Sequence, residues 1–592
     1  MSGKTAPLLL LFKQNKQQTA AVLLILVVYA FLAFCLSSFH TFWSPDSGAR
    51  FAMICSLADG GHLIYPHYLA NDLDPTGQIH PLTFFLFHRK NDFCMMYLPL
   101  FPLLSGMAYR AFGFVGLTLL PILCGVATVL IFGRTARLLG LRSRLLGMLA
   151  LGLATPLVVY SVVFWDHSAQ MMIAALVGFW MLQSVRQRVR YPAVLMGIAL
   201  GFGMWVHELF LALFVAVWFS ALTIRGYRRN LSQGLLLGFV PMILIWGLFN
   251  LIVYGALGGP HLGANVLQNN TYHPFSLDRI LNATQLADRS MFELAGATLF
   301  SSQDGVLPRH LVFACMLIVY AFTGWAGKPI SVVNPFLSLL MAVLALILLL
   351  GSHDASDGLF IVTPLLIPAL SIPLYAPQEK PIVPVDQVFY VWLSRTCWLF
   401  ILFMLINPMT PGADWGSRYL LGTLPLLFLL TAYALEQQYQ QASGYGRGAI
   451  LACTVGIIGV SLLCQINGLL MVRRYLTYGR ELNSHVQAIS TPVLVTDTDM
   501  NAFLTNPPPA QARFEVRTDP DAQIFATVLR KRLYQEVTFI GTEGGEPNVE
   551  TALGASGHVF IIREQHPLWK VNHASQEGKQ LEMIRFVVKQ KG

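Results

Sequence analysis

Residues 13–50 read KQNKQQTAAVLLILVVYAFLAFCLSSFHTFWSPDSGAR, and this stretch decides the class of fold. Lys13 and Lys16 lead into a run over 19–40 that carries no charged side chain, and the first acidic residue of the chain, Asp46, follows it. A membrane-crossing helix needs roughly 20 mostly apolar residues, because no water in the hydrocarbon can satisfy its backbone. The run meets that need. It is longer than the apolar core of a secretory signal, and no small-x-small cleavage pattern precedes Ser44, so it is expected to remain as an anchor.

The rest of the chain extends the same reading. Only 12% of the 592 residues are charged and 55% are hydrophobic, whereas soluble domains carry about 25% charged residues. Mean hydropathy is +0.58. These values exclude a disordered chain, and 8 Cys without a dense pattern exclude a disulfide scaffold. Apolar runs over 19–40, 97–133, 145–163, 168–184, 191–207, 209–224, 232–254, 309–325, 333–351, 358–375, 391–408, 417–435 and 449–472 predict about thirteen transmembrane helices. The 97–133 run is read as an amphipathic or re-entrant piece followed by a span from 114. The fold class is thus an α-helical polytopic membrane protein.

The charges orient it. Lys4, Lys13 and Lys16 share a side with Arg134, Arg137, Arg142 and Arg144, then Arg186, Arg188 and Arg190, then Arg225, Arg228 and Arg229, and more weakly Lys328, Lys380 and Arg447. Short loops on the other side hold Asp166, Glu208, Asp354 and Asp414. Basic loops stay cytoplasmic, so residues 1–18 are a cytoplasmic N-terminus and an odd number of spans places the C-terminus outside. The net charge of +9 is spent on these loops, and no nucleic-acid partner is expected.

Three stretches lie outside the 19–472 membrane region: outer loops 41–96 and 255–308, and a tail over 473–592. Strand-like runs at Pro492–Thr496, Val537–Ile540, Val559–Arg563 and Met583–Val588, with a helical stretch at Gln523–Gln535, predict a small extracytoplasmic α/β domain. Asp497 and Asp499 follow its first strand and read as a site or as a solvated loop. Cys55 and Cys94 share the first outer loop and are candidates for a disulfide; two Cys alone do not specify one.

Ionisable groups beside a membrane are costly and mark candidate sites. Asp46 sits in Ser44-Pro45-Asp46-Ser47; Asp166 and His167 follow Trp165; His207 and Glu208 lie between two spans; His353 and Asp354 follow Ser352; Asp414 and Arg418 flank Trp415-Gly416-Ser417. Under the topology above all five clusters reach the outer face, where they are expected to share one hollow. Each also has a plain reading. Asp46 caps a helix, Asp166-His167 forms an interfacial turn, His207-Glu208 a polar kink, His353-Asp354 a solvated turn, and Arg418 snorkels beside aromatic anchors. Together, carboxylates supply a base and Arg or His a counter-charge, which suits transfer from a lipid-phosphate donor.

At this point the chain resembles the GT-C superfamily of integral-membrane glycosyltransferases, and is most similar to bacterial protein mannosyltransferases and aminoarabinose transferases. The residues that carry the resemblance are Asp46 shortly after the first span, Tyr97-Leu98-Pro99-Leu100-Phe101-Pro102 with Phe112-Gly113, and Asp414-Trp415-Gly416-Ser417-Arg418-Tyr419-Leu420-Leu421 with Leu424-Pro425. It covers about residues 15–475. The family often has an acidic pair in its first loop, whereas Ser47 follows Asp46 here.

The resemblance implies a GT-C-like fold and an inverting single displacement that moves a sugar from a polyprenyl-phosphate donor to a lipid, glycan or protein acceptor. Asp46 would be the general base, with Arg418, His167 and His207 binding the donor phosphate. Asp166, Glu208, His353, Asp354 and Asp414 would contact substrate, and carboxylate with imidazole also suits a divalent cation, which the spacing does not specify. A bacterial inner membrane fits this reading. Two alternatives remain open: a transporter or flippase of a lipid-linked saccharide, and an envelope polysaccharide polymerase or ligase.

Overall fold

The computed structural model describes residues 5–60, 64–65, 79, 82, 85–89, 92–255, 257–260, 308–325, 333–350, 358–372, 385–406, 415–416, 418–488, 491–497, 512–531, 536–542, 546–556, 560–570 and 580–588. Most of the second outer loop, with the sequons at Asn269 and Asn282, and residues His353, Asp354, Asp414, Asp499 and Pro507–Pro509 fall outside this set. Seven of the described helices are long and apolar enough to cross a membrane: Lys16–Ser37, Leu100–Leu138, His167–Gln187, Arg228–Tyr254, Asp386–Met404, Arg418–Gln441 and Tyr445–Ala488. Shorter apolar helices lie at Arg144–Leu153, Tyr191–Gly203, Phe210–Leu222, Val312–Phe322 and Asn334–Leu350. The chain is an integral membrane protein.

It divides into two compact units. The first comprises Met1–Leu36, Ala111–Trp246 and Asp278–Met471. Its helices include α1 (Thr5–Ser37), α4 (Leu119–Leu138), α5 (Arg144–Leu153), α6 (Leu157–Ser161), α7 (His167–Gln187), α8 (Tyr191–Gly203), α9 (Phe210–Leu222) and α10 (Arg228–Tyr254), the last ending in the second unit. Helix α7 packs against α4 and α8. Between α8 and α10 the approach is set by glycine: Gly197 faces Gly238, Gly201 faces Met242, Gly234 faces Ala193, and a Cβ built on Gly238 would stand 2.1 Å from the Val194 carbonyl oxygen. In a bilayer, where apolar side chains gain nothing over lipid, small residues at four-residue spacing let backbones touch and supply the association energy.

Three expected spans are not continuous α-helix. The 145–163 run is α5 and α6, separated where Pro156 offers no N–H and Thr155 Oγ1 donates to the Leu151 carbonyl (2.7 Å). The 358–375 run is a short helix, Leu359–Val362, followed by a 3-10 helix over Pro364–Ser371 with Pro368 inside it. The 417–435 run opens as a 3-10 helix, Arg418–Thr423, and becomes α-helical at Leu424–Gln441. All three were apolar enough to read as spans, but proline and glycine removed the donors or freed the backbone that an unbroken helix requires.

The second unit comprises Ser37–Arg110, Gly247–Leu277 and Val472–Gly592. The first outer loop is folded: α2 (Pro45–Gly60) is followed by strands β1 (Ile64–Tyr65), β2 (Leu86–Arg89) and β3 (Asp92–Met95), antiparallel in the order β1-β3-β2. Ala49 and Met53 on one face of α2 are buried with Leu82, Phe85, Leu86, Met95 and Tyr97. Helix α3 (Leu100–Phe112) then leads through a 3-10 turn into α4. The 449–472 run is part of one helix, Tyr445–Ala488, which continues past the apolar stretch. Beyond 472 it needs only one apolar face, and Val472, Leu476, Leu482 and Val486 are the buried residues that provide it.

The tail carries strands β4 (Val493–Thr496), β5 (Ala512–Glu515), β6 (Glu536–Thr542), β7 (Phe560–Lys570) and β8 (Gln580–Val588), with helices Asp519–Lys531 and Glu546–Ala555. The sheet order is β5-β4-β6-β8-β7: β4 runs parallel to β5 and β6, and β8 antiparallel to β6 and β7. Its core holds Val493, Val495, Phe514, Phe525, Phe539 and Phe586. Ile79 of the first outer loop is fully buried in the same core, and its carbonyl accepts the Glu515 N–H at 2.9 Å.

Candidate functional site

Asp46 begins α2, and its local chemistry separates capping from function. Ser44 precedes Pro45, which suits the first helical position because its missing N–H would have no helical partner. The Ser44 Oγ accepts the Asp46 N–H at 3.2 Å, and its carbonyl accepts the N–H groups of Ser47 (3.1 Å) and Gly48 (3.3 Å). Ser44 therefore caps the helix. The Asp46 carboxylate is engaged elsewhere: Tyr97 Oη donates to Oδ1 at 2.6 Å, and Ser44 Oγ to Oδ2 at 3.0 Å. Arg50, one turn further along α2 and 5% exposed, sets its guanidinium carbon 4.1 Å from the centroid of the Tyr97 ring. Phe85 stacks on that ring at 6.1 Å. Asp46 itself is half-buried.

In the first unit, Asp166 and His167 are each 2% exposed at the start of α7. His167 Nδ1 lies 4.0 Å from Asp166 Oδ1 and 3.1 Å from the Gln170 amide nitrogen. If that amide donates, Nδ1 is the acceptor and the imidazole proton sits on Nε2. The ring stacks on Trp165 at 5.0 Å and meets Tyr160 edge-on at 4.7 Å. Tyr160 Oη in turn donates to the Trp415 carbonyl (3.0 Å) and accepts its N–H (2.9 Å). The structure thus joins Asp166-His167 to the segment leading into Arg418. There Gly416 adopts φ +82°, and a Cβ on it would meet Val362 at 2.8 Å and Pro156 at 3.2 Å. Arg418 is half-buried, with Nη2 donating to Tyr419 Oη at 3.2 Å and its guanidinium 5.1 Å from that ring.

This segment is held from behind by a buried amide. Gln465 Oε1 accepts the Trp415 indole N–H at 2.9 Å, and Gln465 Nε2 donates to the Val362 carbonyl at 2.6 Å. Ser461, one turn earlier, donates to the Ala154 carbonyl at 2.9 Å. The carbonyls released where the helices over 144–161 and 359–371 break are thereby satisfied by side chains of the helix Tyr445–Ala488, as non-helical backbone inside a membrane requires.

Among solved structures, the chain is similar to the aminoarabinose transferase ArnT from Cupriavidus metallidurans bound to undecaprenyl phosphate, at 13% identity and TM-score 0.46 over 96% of this chain and 98% of that one. The apo state of ArnT gives 13% identity and TM-score 0.47 over the same shares, 96% and 98%. The Archaeoglobus fulgidus oligosaccharyltransferase tethered to an acceptor peptide gives 12% identity and TM-score 0.43, covering 87% of this chain and 68% of that one. No protein-family model matches the chain, and no curated protein matches it significantly.

The remaining candidates are placed as follows. His207 and Glu208 form the turn between α8 and α9, both partly buried; the Leu209 N–H donates to His207 Nδ1 at 3.2 Å, which makes that nitrogen an acceptor and the ring a turn-former. His353, Asp354 and Asp414 lie outside the described residues. Asp46 belongs to the second unit, and Asp166, His167, His207, Glu208 and Arg418 to the first. Among the described residues, no group of three or more His, Cys, Asp or Glu side chains is arranged to hold a metal ion. Cys55 and Cys94 are not joined by a disulfide; the former is partly exposed and the latter buried.

Sequence reasoning quoted Tyr97 and Arg50 without joining either to Asp46, and passed over Tyr160 and Gln465. A lone Gln in an apolar span was a readable signal, since a buried amide there must have a partner.

Proposed function

We propose that the chain transfers a sugar from a polyprenyl-phosphate donor to an acceptor hydroxyl at the outer face of the membrane, with Asp46 as general base. The observation that carries this reading is the Asp46 carboxylate itself. It is half-buried directly after the first span, relieved of capping by Ser44 and fixed by Tyr97 at 2.6 Å. Each carboxylate oxygen has two acceptor sites, and Tyr97 bonds Oδ1 while Ser44 bonds Oδ2. A carboxylate held in this way is the type of group that takes the proton of an acceptor hydroxyl.

In the displacement the acceptor proton passes to Asp46 as the oxygen forms its bond to the anomeric carbon. The bond from that carbon to the phosphate oxygen breaks, and its electron pair leaves on the phosphate, through an oxocarbenium-like state. Within the first unit, Arg418 is assigned to phosphate binding because guanidinium and phosphate form charge-assisted bonds, with His167 and His207 as further donors. The resemblance of the sequence to the GT-C superfamily supports the donor class.

The test is sugar transfer by the purified full chain from undecaprenyl-phosphate mannose and undecaprenyl-phosphate aminoarabinose. Asp46→Asn is expected to lower kcat by roughly a hundredfold or more, the scale on which a general base acts, at unchanged protein yield. Wild-type transfer by that variant removes Asp46 from the mechanism. Movement of the lipid-linked sugar across sealed vesicles without bond cleavage decides instead for a flippase.

A further inference from the structure

We infer that Tyr97 and Arg50 are positioning residues for Asp46, acting as one unit; this rests on the reading of Asp46 as the base. Three observations converge. The Tyr97 hydroxyl bonds Asp46 Oδ1 at 2.6 Å, short for an O–H donor and typical of an ionised acceptor. The Tyr97 ring lies 4.1 Å from the Arg50 guanidinium carbon and is 5% exposed, so the cation acts on the ring with little screening by water. And the segment is fixed: the Met96 N–H donates to the Phe85 carbonyl at 2.9 Å, and Phe85 stacks on Tyr97.

A cation against a phenol ring draws electron density from it and makes the hydroxyl a stronger donor. A stronger donor to the charged carboxylate favours the ionised form. With Oδ2 held by Ser44 and Oδ1 by Tyr97, the carboxylate plane is fixed at both oxygens. Asp46 and Arg50 stand four residues apart on α2, on one face of the helix, so one helical turn sets both ends of the arrangement. Tyr97, from the segment after β3, bonds the carboxylate, and Arg50, from the helix of Asp46, lies against the Tyr97 ring. The order of action is therefore Arg50 on Tyr97, and Tyr97 on Asp46; neither needs to touch substrate.

The test does not depend on turnover. Dicyclohexylcarbodiimide modifies protonated carboxyl groups, so labelling of Asp46 in the purified full chain, followed by peptide mass against pH, reads its ionisation. The hydrogen bond favours the charged form; removing it must raise the pH at which Asp46 takes up a proton. Tyr97→Phe keeps the ring and is expected to move the labelling midpoint up by about one pH unit. Arg50→Met is expected to move it in the same direction by less, and carries the test should Tyr97→Phe not fold.

An unchanged midpoint in a folded Tyr97→Phe protein, or a shift downward in either variant, overturns the inference. In transfer assays with the two donors above, Tyr97→Phe is expected to lower kcat about tenfold or more at unchanged KM, since a mispositioned base costs rate and not binding. If Asp46→Asn abolishes transfer while Tyr97→Phe leaves kcat and midpoint alone, this inference fails and the assignment of Asp46 stands. If Asp46→Asn transfers normally, the assignment of the base fails whatever the labelling shows.

Discussion

Gln465 shows how much one side chain can decide inside a membrane. It is 1% exposed, lies in a largely apolar run, and bonds both the Trp415 indole and the Val362 carbonyl. In Gln465→Leu both partners would stay buried without their bonds. Each unpaired buried group costs about 1–3 kcal/mol. The variant is expected to melt several degrees below wild type in the same detergent, with Trp415 fluorescence altered. A melt equal to wild type would show that water or a neighbour takes over both bonds. Asp46 is the contrasting case. Its place after the first span was readable from sequence, and so was the start of a helix at Ser44-Pro45-Asp46. The partner was not: Tyr97 lies 51 positions away, and nothing in the spacing of polar residues brings the two together.

At the scale of elements, sequence periodicity found most of what is uniform and lost what is interrupted. Apolar runs located α4, α7, α9 and α10, because twenty apolar residues in lipid have one low-energy form. The same runs over 145–163 and 358–375 hid their breaks, since Pro156, Pro364 and Pro368 change backbone bonding without changing hydropathy, and the run over 417–435 gave no sign of its 3-10 opening at Arg418–Thr423. In the tail, four strands and the helix Asp519–Lys531 were legible from alternation, while β5 and the helix Glu546–Ala555 were too short or too polar to stand out.

The helix Tyr445–Ala488 outran its apolar stretch, and its extension offers a direct check. A Cβ on Gly479 would stand 2.4 Å from Thr41 Oγ1, and Arg480 lies 5.0 Å from the Phe39 ring. Glycine is needed there for close approach. Gly479→Ala must displace Thr41, which is 3% exposed, and overpacking of this kind costs about 1–3 kcal/mol. Thermal melts should register that loss, whereas Gly448→Ala on the same helix, with open space around it, should leave the melt unchanged.

For the whole molecule, the strongest inference from sequence was orientation, and it came from charge and not from hydropathy. Arg134, Arg137, Arg142 and Arg144 stand together without an acidic residue among them. Holding such a loop on the cytoplasmic side is what the positive-inside rule demands. Alkaline phosphatase fused after residue 592 is expected to be active outside the membrane, and the same reporter inserted at Gly140 inactive. Activity at both positions, or the reverse pattern, would invert the topology and carry Asp46 to the other face. Ile79, set into the core of the tail's sheet and bonded to Glu515, could not be foreseen, because a single apolar residue in a polar loop announces nothing about where it is buried. Its placement makes residue 79 and the tail a single hereditary cassette: a chimaera that imports a tail from a relative inherits a socket cut for another side chain, and will exchange cleanly only when the stretch around position 79 travels with it.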